Sequence, residues 1–193
     1  MRRAFYISIL LILLCTALVA GLFLQFKPQP WYPRMRNLLF PPELAKAVLP
    51  DGLKFDKLVV EKSERWLVAY AGGLPVKIYF VALSKKPFGH KQHEGDKRVP
   101  EGLYHIYDKN PYSSYHKNLG VSYPNEQDRA TAQALGKPPG GAIKVHGLGP
   151  RHTKRGKLQW MKDWSDGCIV VTDEEMDEIY ERTPVGVPIE IRP

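Results

Sequence analysis

Leu58-Val59-Val60-Glu61, Arg65-Trp66-Leu67-Val68-Ala69-Tyr70 and Val76-Lys77-Ile78-Tyr79-Phe80-Val81 are three short runs rich in β-branched and aromatic residues. Ser63-Glu64 lies between the first two, and Ala71-Gly72-Gly73 between the last two. Such runs separated by tight-turn residues predict an antiparallel β-meander. Outward from this meander, Leu103-Tyr104-His105-Ile106-Tyr107, Ala142 to His146, Cys168 to Val171 and Val187 to Ile191 read as further strands. Asn125 to Leu135 is polar and Ala-rich, and predicts a surface helix ended by Gly136. Thr172 with Glu175 three residues on has the capping-box pattern, and Met176, Ile179 and Tyr180 follow at helical spacing. The expected domain is mainly β with one or two short helices, over residues 51–193.

The N-terminal part has a different character. Arg2 and Arg3 precede an uncharged stretch from Ala4 to Phe26. As a helix it would reach roughly 34 Å, enough to cross a bilayer core. A cleaved signal segment normally carries an apolar region of only about 7–15 residues, so residues 1–26 are expected to be an uncleaved membrane anchor, with cleavage as the alternative. Residues 27–50 contain Pro28, Pro30, Pro33, Pro41, Pro42 and Pro50. Proline at that density disfavours a long helix or a central strand, and the segment is expected to be a spacer.

The formal net charge is +8, and setting Arg2 and Arg3 aside leaves an excess of six spread along the chain. No Lys/Arg run is interleaved with aromatics, so nucleic acid is not an expected partner. A mildly basic surface suits an anionic polymer or membrane.

Cys15 lies in the apolar stretch, which leaves Cys168 as the one cysteine of the domain. Beyond a membrane segment, outside the cytoplasm, cysteines are usually paired, and a lone thiol there points to chemistry. A thiol near its ordinary pKa of about 8.5 is a weak nucleophile until a base takes its proton, and His146 is the candidate base. The competing reading is an inert buried cysteine beside a satisfied histidine. Gly147 and Gly167 would let backbone approach a substrate, the Gly167 and Cys168 N–H groups would serve as oxyanion donors, and Ser165 would support the site by hydrogen bonding.

Val145-His146-Gly147 followed by Ser165-Asp166-Gly167-Cys168-Ile169 resembles the signature of the L,D-transpeptidase catalytic domain (YkuD type): a His-Gly, a spacer, then Ser-His-Gly-Cys. Glu94 to Gly102 is similar to the family's Thr-Pro-Glu-Gly region. Ser122-Tyr123-Pro124-Asn125 and Gly140-Gly141 resemble the branch of envelope-anchored, single-domain members. The resemblance implies a β-sandwich with peptidoglycan stem peptides as substrate. It makes Cys168 the nucleophile and His146 the proton acceptor and donor, and it requires no cofactor. It further implies a bacterial envelope location, membrane-anchored with the domain in the periplasm, or secreted if the anchor is cleaved. A peptidoglycan-linked envelope protein is a possible further partner. Two positions depart from the pattern: Asp166 stands where the family has His, and Val170 where Arg or Asn is frequent.

Tyr115, His116, Tyr123, Arg98 and Glu101 are candidate substrate contacts, with a buried aromatic cluster or strand-capping roles as the alternatives. His152, Lys154, Arg155 and Lys157 fall between base and nucleophile, where a lid or anion contact is expected. His90 and His93, beside Glu94 and Asp96, have the composition of a metal site, but the surrounding lysines favour a solvated loop and no metal is expected. Three activities are compatible with these residues: acyl transfer to an amine, hydrolysis through the same thioester, and non-catalytic peptidoglycan binding.

Overall fold

The computed structural model describes residues 32–193. The expected membrane anchor, residues 1–26, lies outside the described residues. Among those described, no helix is long and apolar enough to cross a membrane.

The meander forms as expected: β1 (Lys57–Glu61), β2 (Trp66–Ala71) and β3 (Leu74–Phe80) pair antiparallel, Lys57 opposite Tyr70 and Trp66 opposite Phe80. Gly72 and Gly73 join β2 to β3, both at positive φ, as a turn matching the right-handed twist of a hairpin demands. β8 (Pro188–Arg192) adds to β1 in parallel. The other strands are β4 (Gly102–Ser113), β5 (His116–Val121), β6 (Lys144–His146) and β7 (Ile169–Val170). All eight form one sheet in the order β3-β2-β1-β8-β4-β5-β6-β7.

The strands of the expected β-sandwich belong to one curled sheet, and the reason is β4. Its first residues, Gly102 to His105, pair with β8, and the rest pair with β5. Irregularities between Ile106 and Asp108 and between Asn110 and Ser113 bend the strand between the two leaves. Beyond β3, Ala82 exchanges two 2.9 Å hydrogen bonds with Val170 of β7, so the two ends of the sheet meet.

The concave side buries Leu58, Val60, Leu67, Ile106, Leu119, Val145, Ile169 and Ile191 in one core. Helix α3 (Asp173–Arg182), the third α-helix of the described chain, closes it with Met176 and Ile179. The expected capping box is present: Thr172 Oγ1 accepts the Glu175 N–H at 3.2 Å, and the Thr172 N–H donates to Glu175 at 2.8 Å. Helix α2 (Glu126–Ala134) is capped by Asn125, and its Asp128 turns inward to the Tyr104 hydroxyl at 2.9 Å.

Much of the stretch expected as a spacer is built into the fold, since residues 33–193 form one compact unit. Val59, Val68 and Ile78 make the outer face of the meander apolar as well, and Leu44 and Ala45 of a 3-10 turn (Glu43–Ala45) cover it. Leu49 joins the main core. Helix α1 (Tyr32–Leu39) tolerates Pro33 because its first turn has N–H groups without intrahelical partners. It docks through polar groups: Arg34 pairs with Asp163, and Asn37 donates to the Glu64 carbonyl. Leu38, Leu39 and Phe40, by contrast, are exposed.

Candidate active site

β6 and β7 are parallel neighbours, with Val145 opposite Ile169 and His146 opposite Val170. Cys168 immediately precedes β7, two residues before the partner of His146. The chain between them makes a 3-10 stretch over Thr153–Met161 and returns to the next strand of the sheet. Cys168 and His146 therefore line one cleft of about 600 Å³.

His146 is buried, and its Nδ1 lies 2.6 Å from the Gly147 carbonyl. That carbonyl can only accept, so Nδ1 carries the proton and Nε2 is the basic nitrogen. The Tyr115 ring lies tilted against the imidazole at 4.6 Å and the Trp164 edge approaches at 6.3 Å. Burial pulls the His146 pKa from 6.5 down to about 4; the Gly147 carbonyl and the Asp173 carboxylate oppose this, and His152 reinforces it. Cys168 is half-buried, with its S–H directed at the Ala142 carbonyl 3.7 Å away. Burial raises its pKa, against the pull of the Lys144 backbone N–H and the Lys144 ammonium, while Asp166 adds a smaller upward push. At neutral pH the resting cleft thus holds a neutral thiol and a neutral imidazole. Proton transfer between them creates two opposite charges without net charge, which burial opposes less than either ionisation alone.

Ser165 organises the loop before the thiol. Its Oγ donates to the Cys168 carbonyl at 2.7 Å and accepts the Cys168 N–H at 3.0 Å and the Gly167 N–H at 3.3 Å. The two amides expected as oxyanion donors are therefore engaged by Ser165, whose role is to hold the cysteine loop. Gly167 has φ +146 and a Cβ there would lie 3.3 Å from Ile143 Cδ1, so the turn itself requires glycine. Gly147 was expected to admit substrate. It instead admits packing, because a Cβ would fall 2.4 Å from Asp173 Oδ1. Asp173 accepts the Leu148 and Gly149 N–H groups at 2.6 and 3.0 Å and fixes the chain after the base.

Of the candidate substrate contacts, Tyr115 alone lines the cleft. His116 turns to helix α3, with Nε2 2.7 Å from Asp177. Tyr123 is a core residue donating to the Pro139 carbonyl at 2.9 Å. Arg98 reaches the His90 carbonyl at 3.4 Å. Glu101 pairs with buried Lys62 at 2.6 Å and borders a separate hollow of about 750 Å³ that contains no Cys, Ser or Thr. The partners of His116 and Glu101 lie on distant parts of the chain, whereas those of Tyr123 and Arg98 lie 16 and 8 residues away. Asp166 stands at the rim, paired with Lys85 at 3.0 Å. Of the loop residues, His152 borders the cleft, tilted against Trp164 at 4.4 Å, and the Arg155 guanidinium lies over the Trp164 ring at 4.7 Å.

His90 bonds Asp128 and the Glu101 N–H, whereas His93 bonds the Glu94 carbonyl, so the two histidines do not converge. Among the described residues no group of three or more His, Cys, Asp or Glu is placed to hold a metal. Trp164, Asn118, Lys91 and Lys144 also line the cleft and were not anticipated as contacts. Lys144, two residues before the base, carried the one available signal, since alternate residues of a strand share a face.

The L,D-transpeptidase catalytic domain model (YkuD) matches residues 56–191. YafK of Escherichia coli K12, which carries an L,D-transpeptidase name, is 30% identical over 95 residues, covering 48% of this chain and 31% of that protein. The chain therefore spans about a third of that relative's length. The helical cell shape determining protein Pgp2 of Campylobacter jejuni superposes with a TM-score of 0.51 at 19% identity, covering 85% of this chain and 56% of that one. Bd1075 of Bdellovibrio bacteriovorus gives 0.50 at 19% identity, covering 77% and 51%. These two likenesses concern the fold. The match over residues 56–191 takes in strands β1 to β7 and β8 up to Ile191, together with His146 and Cys168, and the chain belongs to the L,D-transpeptidase catalytic domain family.

Proposed function

We propose that this protein is a cysteine acyltransferase acting on peptidoglycan stem peptides through a thioester on Cys168. The observation that carries the proposal is the placement of Cys168 and of His146, with Nε2 unprotonated, in one cleft. The Cys168 thiol passes its proton to His146 Nε2 as sulfur attacks the carbonyl at the L-centre of the diamino acid. The tetrahedral intermediate collapses when His146 returns that proton to the departing amine, D-alanine in a tetrapeptide donor. An acceptor amine then attacks the thioester, gives its proton to His146, and releases the Cys168 thiolate, which recovers the proton. The product is a cross-link, or an attached envelope protein if that protein supplies the amine.

Val170, where the family often has Arg or Asn, is fully buried against Ala82 and Leu148, so it packs and does not meet substrate. Lys85 and Lys91 are paired with Asp166 and Asp96, at 3.0 and 2.8 Å, whereas Lys144 stands 3.7 Å from Asp108 and is the cleft lysine best placed to meet a donor carboxylate. The uncharged stretch from Ala4 to Phe26 supports anchoring in the membrane, and family membership supports placing the domain in the periplasm.

Incubation of the full chain with a stem tetrapeptide, followed by intact-mass measurement, should show an adduct lacking D-alanine, absent in Cys168→Ala. An adduct that survives in Cys168→Ala would refute the assignment. New muropeptide dimers among the products establish transfer, and shortened peptides without dimers establish hydrolysis instead.

A further inference from the structure

We infer that Asn118 binds the donor peptide, hydrogen-bonding its side-chain carboxamide to the backbone amide that precedes the scissile diamino acid. Asn118 sits in the middle of β5, with Asn110 of β4 on one side and His146 of β6 on the other. Asn118 is among the residues that line the same cleft as Cys168. As the direct cross-strand partner of His146, it stands on the same face of the sheet as the base.

Asn118 is 8% exposed, and its Oδ1 is buried without a hydrogen-bond partner. Buried side-chain oxygens are nearly always bonded, because leaving one unpaired costs stability. A structural asparagine would spend its carboxamide on a turn, a cap or a neighbouring strand. Here the β5 backbone is already paired on both sides, so the ladder does not need the side chain. An apolar residue would fill the position at lower cost, unless the oxygen is satisfied by something that enters the cleft.

The chemistry of the group narrows what that is. A carboxamide offers one acceptor and one donor face, the complement of a peptide bond, and it carries no charge to attract a carboxylate. Its terminal torsion is soft, so either face can be turned toward the cleft. Lys144 is the cleft group suited to a carboxylate, which leaves Asn118 for the uncharged backbone beside the reacting carbonyl. The inference rests on the acyltransferase reading.

The test is a cycle on the full-length chain. Asn118→Ala and Asn118→Leu, the second keeping the volume, are each assayed with a stem tetrapeptide donor and with its depsipeptide analogue. In the analogue an ester replaces the amide before the diamino acid. In the wild type the ester should raise KM about tenfold, the scale of one or two neutral hydrogen bonds. Both variants should show the same rise with the amide donor, little change in kcat, and no further loss with the ester. Iodoacetamide labelling of Cys168 across pH should be unchanged, and thermal melting should not fall. Equal additional loss with the ester in wild type and variants, or an unchanged KM in both variants, overturns the role of Asn118 while leaving the acyltransferase standing. Failure of the wild type to form an adduct with either donor overturns the acyltransferase reading and this inference with it.

Discussion

Replacing Asp163 with Ala removes the centre of a buried charge cluster five residues before Cys168. Its carboxylate meets Arg34 at 2.6 Å and Arg65 at 2.8 Å, and accepts the Leu83 N–H at 2.9 Å. Both arginine side chains are largely buried, at 13% and 3% exposure, so water does not readily take over. Breaking a buried pair by removing one partner costs about 3–5 kcal/mol, mostly because the remaining charge is left unpaired. Here two cations are left, which places Asp163→Ala at the upper part of that range. For a domain of ordinary stability, about 5–15 kcal/mol, this is a large fraction of the total. With a urea slope of about 2 kcal/mol per M, the midpoint should fall by roughly 2 M at unchanged slope. Trp160 and Trp164 flank the cluster in sequence and give the fluorescence signal for the unfolding curve. Asp163→Asn, which keeps an oxygen for Leu83, should lose about half as much, and Arg34→Met less again because Arg65 keeps its partner. A shift below about 0.5 M for Asp163→Ala would refute the reasoning, since it would mean that the arginines are hydrated in the folded state.

Three further outcomes are expected. His146 has a folded pKa of about 4 against an ordinary 6.5, so the unfolded chain binds its proton first. Its contribution to stability is complete above pH 6.5 and is lost as pH falls toward 4, by up to about 3 kcal/mol; His146→Gln should flatten that part of a stability–pH curve. Gly167→Ala forces a side chain onto φ +146 beside Ile143, and should cost about 1–3 kcal/mol in urea unfolding while slowing acylation. Ser165→Ala orphans the Cys168 N–H and carbonyl, and should cost about 1–3 kcal/mol and reduce Cys168 acylation more than it changes donor KM; an unaltered acylation rate would remove Ser165 from the positioning role.

The strands of the meander and the capped helix α3 were readable because their signals are local. Leu58 to Glu61 and Arg65 to Tyr70 need only their own composition and the turns beside them, and Thr172 needs only Glu175. β5 escaped notice because His116-Lys117-Asn118-Leu119-Gly120-Val121 has just Leu119 and Val121 as strong strand formers. It is a strand because β4 and β6 pair with it on both sides. The proline-rich stretch predicted a spacer from its own residues, whereas Leu44, Ala45 and Leu49 are ordered by apolar surface of the meander that they cover.

Cys168 and His146 could be singled out together because a lone thiol, a histidine and their flanking glycines form a motif recognisable by residue type, and the two line one cleft. Which other side chains meet that thiol was not legible, because a cleft is made by elements distant in sequence. Tertiary structure alone turned His116, Tyr123, Arg98 and Glu101 away toward partners elsewhere. It also brought Asn118, Lys91 and Trp164 to the thiol's cleft. Residue type determines what a group can do chemically; the curl of the sheet through β4 determines which groups share one cavity, because strand order and side-chain direction are set by long-range pairing.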